Sequence, residues 1–255
     1  DGGRLRTERV RRLGAITLTA TPGSPPGPQE VADAIVERVR AEGAGAGLAA
    51  LPWDEEARSL RARLALLHEH LGEPWPDMSD AALAKRAEEW LAPAVMSLVG
   101  QAGSRGSSGA AASSAGSRRF SLERLDMAQA LRALLPWPQA ARLDELVPER
   151  IKVPSGSRVR VEYDACGERP VLAVRVQECF GWEETPRVVD GRVPVLLHLL
   201  SPARRPVAVT DDLRSFWAGP YQQVRREMRG RYPKHAWPED PRRPGRPGRS
   251  SPAPA

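Results

Sequence analysis

Along the first half of the chain, apolar residues recur at helical spacing. Val31, Ile35 and Val39 fall four residues apart between Gln29 and Glu42, which predicts a helix with one buried face. Asp54 stands at a capping position before Leu60, Leu64, Leu67 and Leu71, and Gly72 ends that stripe; this is the clearest helix in the chain. Ser79 is expected to cap a further helix that turns Leu83, Ala87, Trp90 and Leu91 inward until Pro93 stops it. Ser121 is read as the cap of another helix through Leu122, Leu125, Leu131 and Leu135, and Pro138 as the first turn of a short one through Leu143 and Leu146. The run between Gly43 and Gly47 reads as a linker, and residues 100–117, almost entirely Gly, Ser and Ala, as a flexible insertion with too little apolar surface to offset ordering the backbone.

At Pro148 the period changes from helical to two. Val159, Val161 and Tyr163 alternate with Arg158, Arg160 and Glu162, and Leu172, Val174 and Val176 alternate with their neighbours. Residues 195–200 are a continuous apolar run suited to a strand covered on both sides, and 207–209 add a short one. Helices are expected again at Asp211–Trp217 and Tyr221–Met228.

The pattern predicts an α+β protein: a small N-terminal helical bundle, a small OB-like β-barrel or sandwich, and a helical, basic C-terminal extension. The boundaries read as the end of an upstream strand region (1–20), a helical accessory region (21–98), a Gly/Ser/Ala linker (99–119), a helical hairpin (120–147), the β unit (148–210), the extension (211–241) and a disordered Pro/Arg tail (242–255). The chain begins at Asp1 inside an alternating pattern and is expected to be a fragment of a longer polypeptide.

Composition adjusts this picture in two ways. The 25 Pro and 22 Gly among 255 residues argue against long uninterrupted helices. No stretch approaches the roughly 18–20 apolar residues of a membrane span and no secretion pattern opens the chain, so a soluble, cytoplasmic protein without a membrane partner is expected. Cys166 and Cys179 fit neither a disulfide framework nor paired zinc ligands and read as buried thiols. The net charge of +6 is concentrated: from Tyr221 onward 9 basic residues face 3 acidic ones, while the first 220 residues balance at 29 against 29. Only Lys85, Lys152 and Lys234 are lysines, so the positive charge is nearly all guanidinium, the group suited to bidentate phosphate contacts.

Catalytic motifs are missing. No lysine follows a glycine as a phosphate-binding loop requires, and Asp54-Glu55-Glu56 opens a helix, where carboxylates meet the positive end of the dipole. His68-Glu69-His70 lacks the spacing of a zinc protease and reads as a solvated helix surface; His198, in the apolar run, reads as a hydrogen-bonded core histidine. No catalytic residue, metal site or cofactor is expected in this chain. What remains is a nucleic-acid surface for which Lys152, Arg158, Arg160, Arg204, Arg205, Arg225, Arg229, Arg231 and Lys234 are the candidates. The alternative at this stage is a protein-interaction or docking module, with exposed aromatics such as Trp217 and Trp237 as anchors.

Several stretches carry a resemblance: Arg11-Arg12-Leu13-Gly14-Ala15, Leu51-Pro52-Trp53, the run from Leu71 to Asp77, Val153-Pro154-Ser155-Gly156-Ser157, the run from Pro194 to Pro206, and the run from Met228 to Pro241. Together they resemble the C-terminal region of the bacterial HrpB-type ATP-dependent helicases of the DEAH-box class, from about Arg4 to Pro241. The resemblance implies an ATP-driven RNA helicase whose motor domains, with their ATP and Mg, lie outside this chain. It also implies that the residues here help form the nucleic-acid channel, with RNA or single-stranded nucleic acid and the motor domains as partners.

Overall fold

The computed structural model describes residues 8–13, 16–22, 26–42, 44–104, 121–163 and 169–243. The insertion expected between 100 and 117 falls largely outside them, as do Cys166 and most of the 242–255 tail. The chain divides into two compact units, one formed by residues 1–68 and 72–140, the other by 69–71 and 141–255.

In the first unit, β1 (Glu8–Leu13) and β2 (Ile16–Pro22) form an antiparallel hairpin. Helix α1 (Pro28–Ala41) starts on a proline and buries the predicted stripe of Val31, Ile35 and Val39. The presumed linker after it is helical: α2 (Ala44–Ala49) packs so closely that a Cβ on Gly47 would lie 2.5 Å from the Val39 carbonyl oxygen. The glycine that looked like a linker residue therefore serves a close helix contact.

Helix α3 (Glu55–Leu71) runs for 17 residues, longer than the Pro and Gly content suggested, and Asp54 caps it by accepting from the Ala57 N–H. The solvated reading of its histidines is corrected at one position. His68 is half-buried, with Nδ1 2.7 Å from the Trp75 carbonyl oxygen, whereas His70 is exposed.

Ser79 caps a helix as predicted, but that helix, α4 (Asp80–Lys85), breaks at Arg86 and a second, α5 (Ala87–Ser104), continues through Pro93. Proline removes one helical hydrogen bond and crowds the preceding turn at a cost of about 3 kcal/mol. Here its ring lies on the exposed side while Trp90, Leu91 and Val95 are fully buried on the other, and burial of that face outweighs the local penalty. The helix expected from Ser121 is also corrected: Leu122–Arg124 form a 3₁₀ turn, and α6 (Met127–Arg132) begins after Asp126, whose carboxylate accepts from the Gln129 N–H. Trp53 and Trp90 meet at 6.4 Å, and Arg61 lies 5.3 Å from the Trp53 ring centroid while bonding the Met78 carbonyl and Asp80.

Helix α7 (Trp137–Leu146) carries the chain into the second unit, whose strands are short. β3 (Arg150–Lys152) and β4 (Arg158–Arg160) form an antiparallel hairpin. β5 (Val171–Arg175) is followed by a 3₁₀ turn at Val176–Cys179, which takes Val176 out of the predicted strand. β6 (Arg187–Val188) and β7 (Val193–Pro194) form a small ladder. β8 (Leu196–Leu200) lies between β5, parallel to it, and β9 (Pro206–Thr210), antiparallel.

The described strands close no barrel: they form one three-stranded sheet and two-stranded ladders, with an isolated bridge from Glu162, just beyond β4, to Val171 of β5. The central strand is covered less evenly than its apolar run suggested. Leu197 and Leu199 are buried, while the alternate positions, His198 included, are half-buried, and no hydrogen bond to the His198 ring is found among the described residues.

Helices α8 (Leu213–Ala218) and α9 (Pro220–Arg231) close the unit. The two tryptophans expected at the surface are interior, Trp217 at 3% and Trp237 at 7% exposure. With Phe180 and Tyr221 they form a cluster of ring contacts at 5.1–6.4 Å. Their apolar surface and N–H groups are both satisfied, the Trp217 and Trp237 indoles donating to the Trp182 and Tyr232 carbonyls. This cluster pins the C-terminal segment: Tyr221 Oη donates to the Pro238 carbonyl, and burial pushes the Tyr221 hydroxyl up to about 12.

Candidate nucleic-acid interface

The β3–β4 hairpin concentrates candidate cations. Its turn is the Val153–Ser157 motif, closed by the Val153 N–H donating to the Ser157 carbonyl at 2.9 Å, with Gly156 at φ 93° supplying the left-handed conformation a bulkier residue resists. The register sets Arg150 opposite Arg160, Ile151 opposite Val159 and Lys152 opposite Arg158. Because successive side chains alternate between the faces of a strand, Ile151 and Val159 share the half-buried face, and four cations share the exposed one.

Like charges placed directly across a ladder repel. Lys152 and Arg158 also make no side-chain hydrogen bond or ion pair among the described residues. A fold that needed only solubility could alternate signs here. Here the four cations share one exposed face, with Arg150 Nη1 donating to the Arg158 carbonyl and Arg160 also partnered. Sequence reading found Lys152, Arg158 and Arg160 but not Arg150. Its signal, the alternation Arg150-Ile151-Lys152, was present but too short to read as a strand beside Pro148.

The remaining candidates separate into distinct environments. Arg204 and Arg205 lie on the tight β8–β9 turn, where the Ser201 N–H donates to the Arg205 carbonyl at 2.8 Å and Arg204 adopts φ 59°. Ser201, 2% exposed, receives the Arg205 N–H on its Oγ. Arg229 and Arg231 occupy the last turn of α9, where cations complement the helix dipole, and Lys234 follows in the segment beyond.

Arg205 and Arg231 line one groove of about 570 Å3 between β9 and α9. Arg225 is engaged internally: Nε donates to the Trp237 carbonyl and Nη2 to Glu239, with 15% of its side chain exposed. It holds the C-terminal segment in place.

Neither a metal-binding cluster nor a reactive thiol is found among the described residues. No group of three or more His, Cys, Asp or Glu side chains could hold a metal among them. Cys179 is fully buried, and desolvation raises its thiol far above the ordinary range, so it is neither a thiolate nucleophile nor a ready ligand. Among the described residues no helix is long and apolar enough to cross a membrane.

Comparison with known proteins agrees with the resemblance in the motifs. The family model described as ATP-dependent helicase C-terminal, HrpB_C, matches residues 111–241. The ATP-dependent RNA helicase HrpB of Escherichia coli K12 is 40% identical over 240 residues, which is 94% of this chain and 27% of the relative. The chain thus spans about a quarter of the curated protein it matches. The crystal structure of the E. coli DExH-box NTPase HrpB superposes with a TM-score of 0.72 at 39% identity, covering 92% of this chain and 26% of that one. A second structure, of the E. coli DEAH/RHA helicase HrpB, gives 0.64 at 37% identity over 90% of this chain and 26% of that one. The family match spans more than half of the chain, including the cationic hairpin and the aromatic cluster, and on that basis the chain belongs to the HrpB-type ATP-dependent helicase C-terminal family.

Proposed function

We propose that this chain is the accessory, nucleic-acid-contacting part of a cytoplasmic ATP-dependent RNA helicase, gripping the backbone of a single strand while motor domains outside the chain bind ATP and Mg and drive unwinding. The observation that carries the reading is the β3–β4 hairpin, with Arg150 facing Arg160 and Lys152 facing Arg158 across the ladder. The cross-strand repulsion is relieved when phosphates occupy that face, and guanidinium forks suit phosphate oxygens. The small twisted strands around the hairpin are consistent with an OB-like unit, a scaffold that commonly presents strand-face cations to single strands.

A direct test is titration of the purified chain with a fluorescent single-stranded RNA at several salt concentrations. Binding should weaken as salt rises, with a log-log slope of about −0.7 per phosphate neutralised. Salt-independent binding, or none, would contradict the proposal. Steady-state ATP hydrolysis by the chain alone should be absent.

One observation favours a second reading, in which the chain docks on the motor domains without touching RNA. Trp137, held between Pro136 and Pro138, is 86% exposed, and its indole N–H has no partner among the described residues. It replaces the interior Trp217 and Trp237 as the docking anchor. Loss of motor association in Trp137→Ala with RNA binding intact would support this reading.

A further inference from the structure

The groove between β9 and α9 has the geometry of a peptide site. Among the described residues β9 pairs with β8 on one side only, so its other edge presents main-chain donors and acceptors without a strand partner there. All five residues of β9 line the groove. A cavity over one face of a strand is lined by alternate residues, because side chains alternate between faces. A lining of five consecutive residues places the groove along the edge itself.

The facing wall is α9, which contributes half-buried Val224 and buried Met228. On the strand side Val209 is 60% exposed, one of two large apolar residues left in solvent among the described residues. An open strand edge beside an apolar helix face is the arrangement by which an extended peptide adds to a sheet, main-chain bonds giving affinity and alternate side chains giving specificity.

Charge fixes the direction. Strand β9 runs from Pro206 to Thr210, so Arg205 stands at its start, and Arg231, in the last turn of α9, lines the same groove. Neither the Arg205 nor the Arg231 guanidinium has a partner among the described residues. The opposite end carries Asp212, whose carboxylate accepts from Ser215 and sits below its usual range because of those bonds.

A strand antiparallel to β9 brings its C-terminal end to Arg205 at the start of β9. Pro206 has no N–H, and a register shift separates its pairing with Leu200 from the rest of the β8–β9 ladder. The added strand has no further main-chain donor at that point, and its terminal carboxylate meets Arg205 and Arg231. Glu227, one helical turn before Arg231, also lines the groove and disfavours further acidic residues upstream of the terminus.

We infer that the β9–α9 groove binds the free C-terminus of a partner protein as an added antiparallel strand, with an apolar residue against Val209, Val224 and Met228 and the α-carboxylate between Arg205 and Arg231. This goes beyond nucleic-acid binding: it concerns a different ligand class and a different surface from the β3–β4 hairpin.

The test uses the whole 255-residue chain and an array of labelled hexapeptides varied at their last four positions, each made with a free carboxylate and as the C-terminal amide. Peptides with uncharged, β-branched C-terminal residues should bind, and amidation should weaken them about tenfold or more. Arg205→Ala and Arg231→Ala should each remove most of the preference for acid over amide. N-methylating alternate peptide amides should abolish binding while leaving the protein untouched.

An array in which no free-acid peptide exceeds its amide would overturn the inference. So would unchanged binding by the N-methylated series, or displacement of bound peptide by a single-stranded oligonucleotide. Lys152→Gln/Arg158→Gln should leave peptide affinity within about twofold, additivity being expected for sites without shared partners. The peptide and nucleic-acid readings can therefore fail separately.

Discussion

The helical unit and the β3–β4 hairpin use arginine in opposite ways. In the helical unit Arg38 pairs with Glu42, Arg40 with Glu88, Arg86 with Glu89 and Arg132 with Glu56, while Arg61 is held by Asp80, the Met78 carbonyl and the Trp53 ring. On the hairpin, cations face cations across the ladder. An arginine-rich composition alone would give both regions the same mixture. The difference is one of placement: in one region guanidinium groups face carboxylates, and on the hairpin Lys152 and Arg158 face each other with no side-chain partner among the described residues.

Substitutions in the two regions should have different consequences. The largest effect is expected from Trp90→Ala, which empties a fully buried position and removes the indole bond to the Leu83 carbonyl. It should cost about 3–5 kcal/mol in thermal or denaturant unfolding. A smaller loss is expected at alkaline pH from the aromatic cluster. The Tyr221 hydroxyl is raised by burial to about 12, so its contribution is complete below the unfolded value of about 10 and is lost as pH rises from there through the folded value. Tyr221→Phe should flatten this decline in a pH series of melting temperatures.

Arg61→Ala, which frees the Met78 carbonyl and Asp80, should cost about 1–2 kcal/mol. Replacing Arg132 by Gln, at a pair whose side chains are about half exposed, should change stability by no more than about 0.5 kcal/mol. None of these four should alter the salt slope of RNA binding in folded protein. A change in slope from Arg61→Ala would erase the distinction between the two regions.

Much of the fold was legible because its signals are local. The stripe from Leu60 to Leu67, the caps at Asp54 and Ser79 and the strand alternation after Pro148 all depend on residues within a few positions of one another. What sequence could not show was tertiary. Pro93 sits inside a helix because the opposite face is buried. Gly47 belongs to a helix because another backbone approaches it. Trp217 and Trp237 are interior because Phe180 and Tyr221, distant in sequence, surround them.

The candidate site divides in the same way. Three of the four hairpin cations were visible as period-two residues, but their direct opposition is a property of register, and the inward engagement of Arg225 depends on a segment more than ten residues away. The β9–α9 groove left no local mark, since Arg205 and Arg231 come from elements far apart in the chain.

Single-stranded RNA titrations across a salt series can set the wild-type chain beside Lys152→Gln/Arg158→Gln. The double variant should keep its melting temperature or gain slightly from reduced repulsion. It should bind RNA about tenfold or more weakly, with a salt slope shallower by about 1.4, the value for two lost phosphate contacts. Equal affinity and equal slope in the two proteins, both folded, would contradict the assignment of the hairpin as the strand-gripping surface.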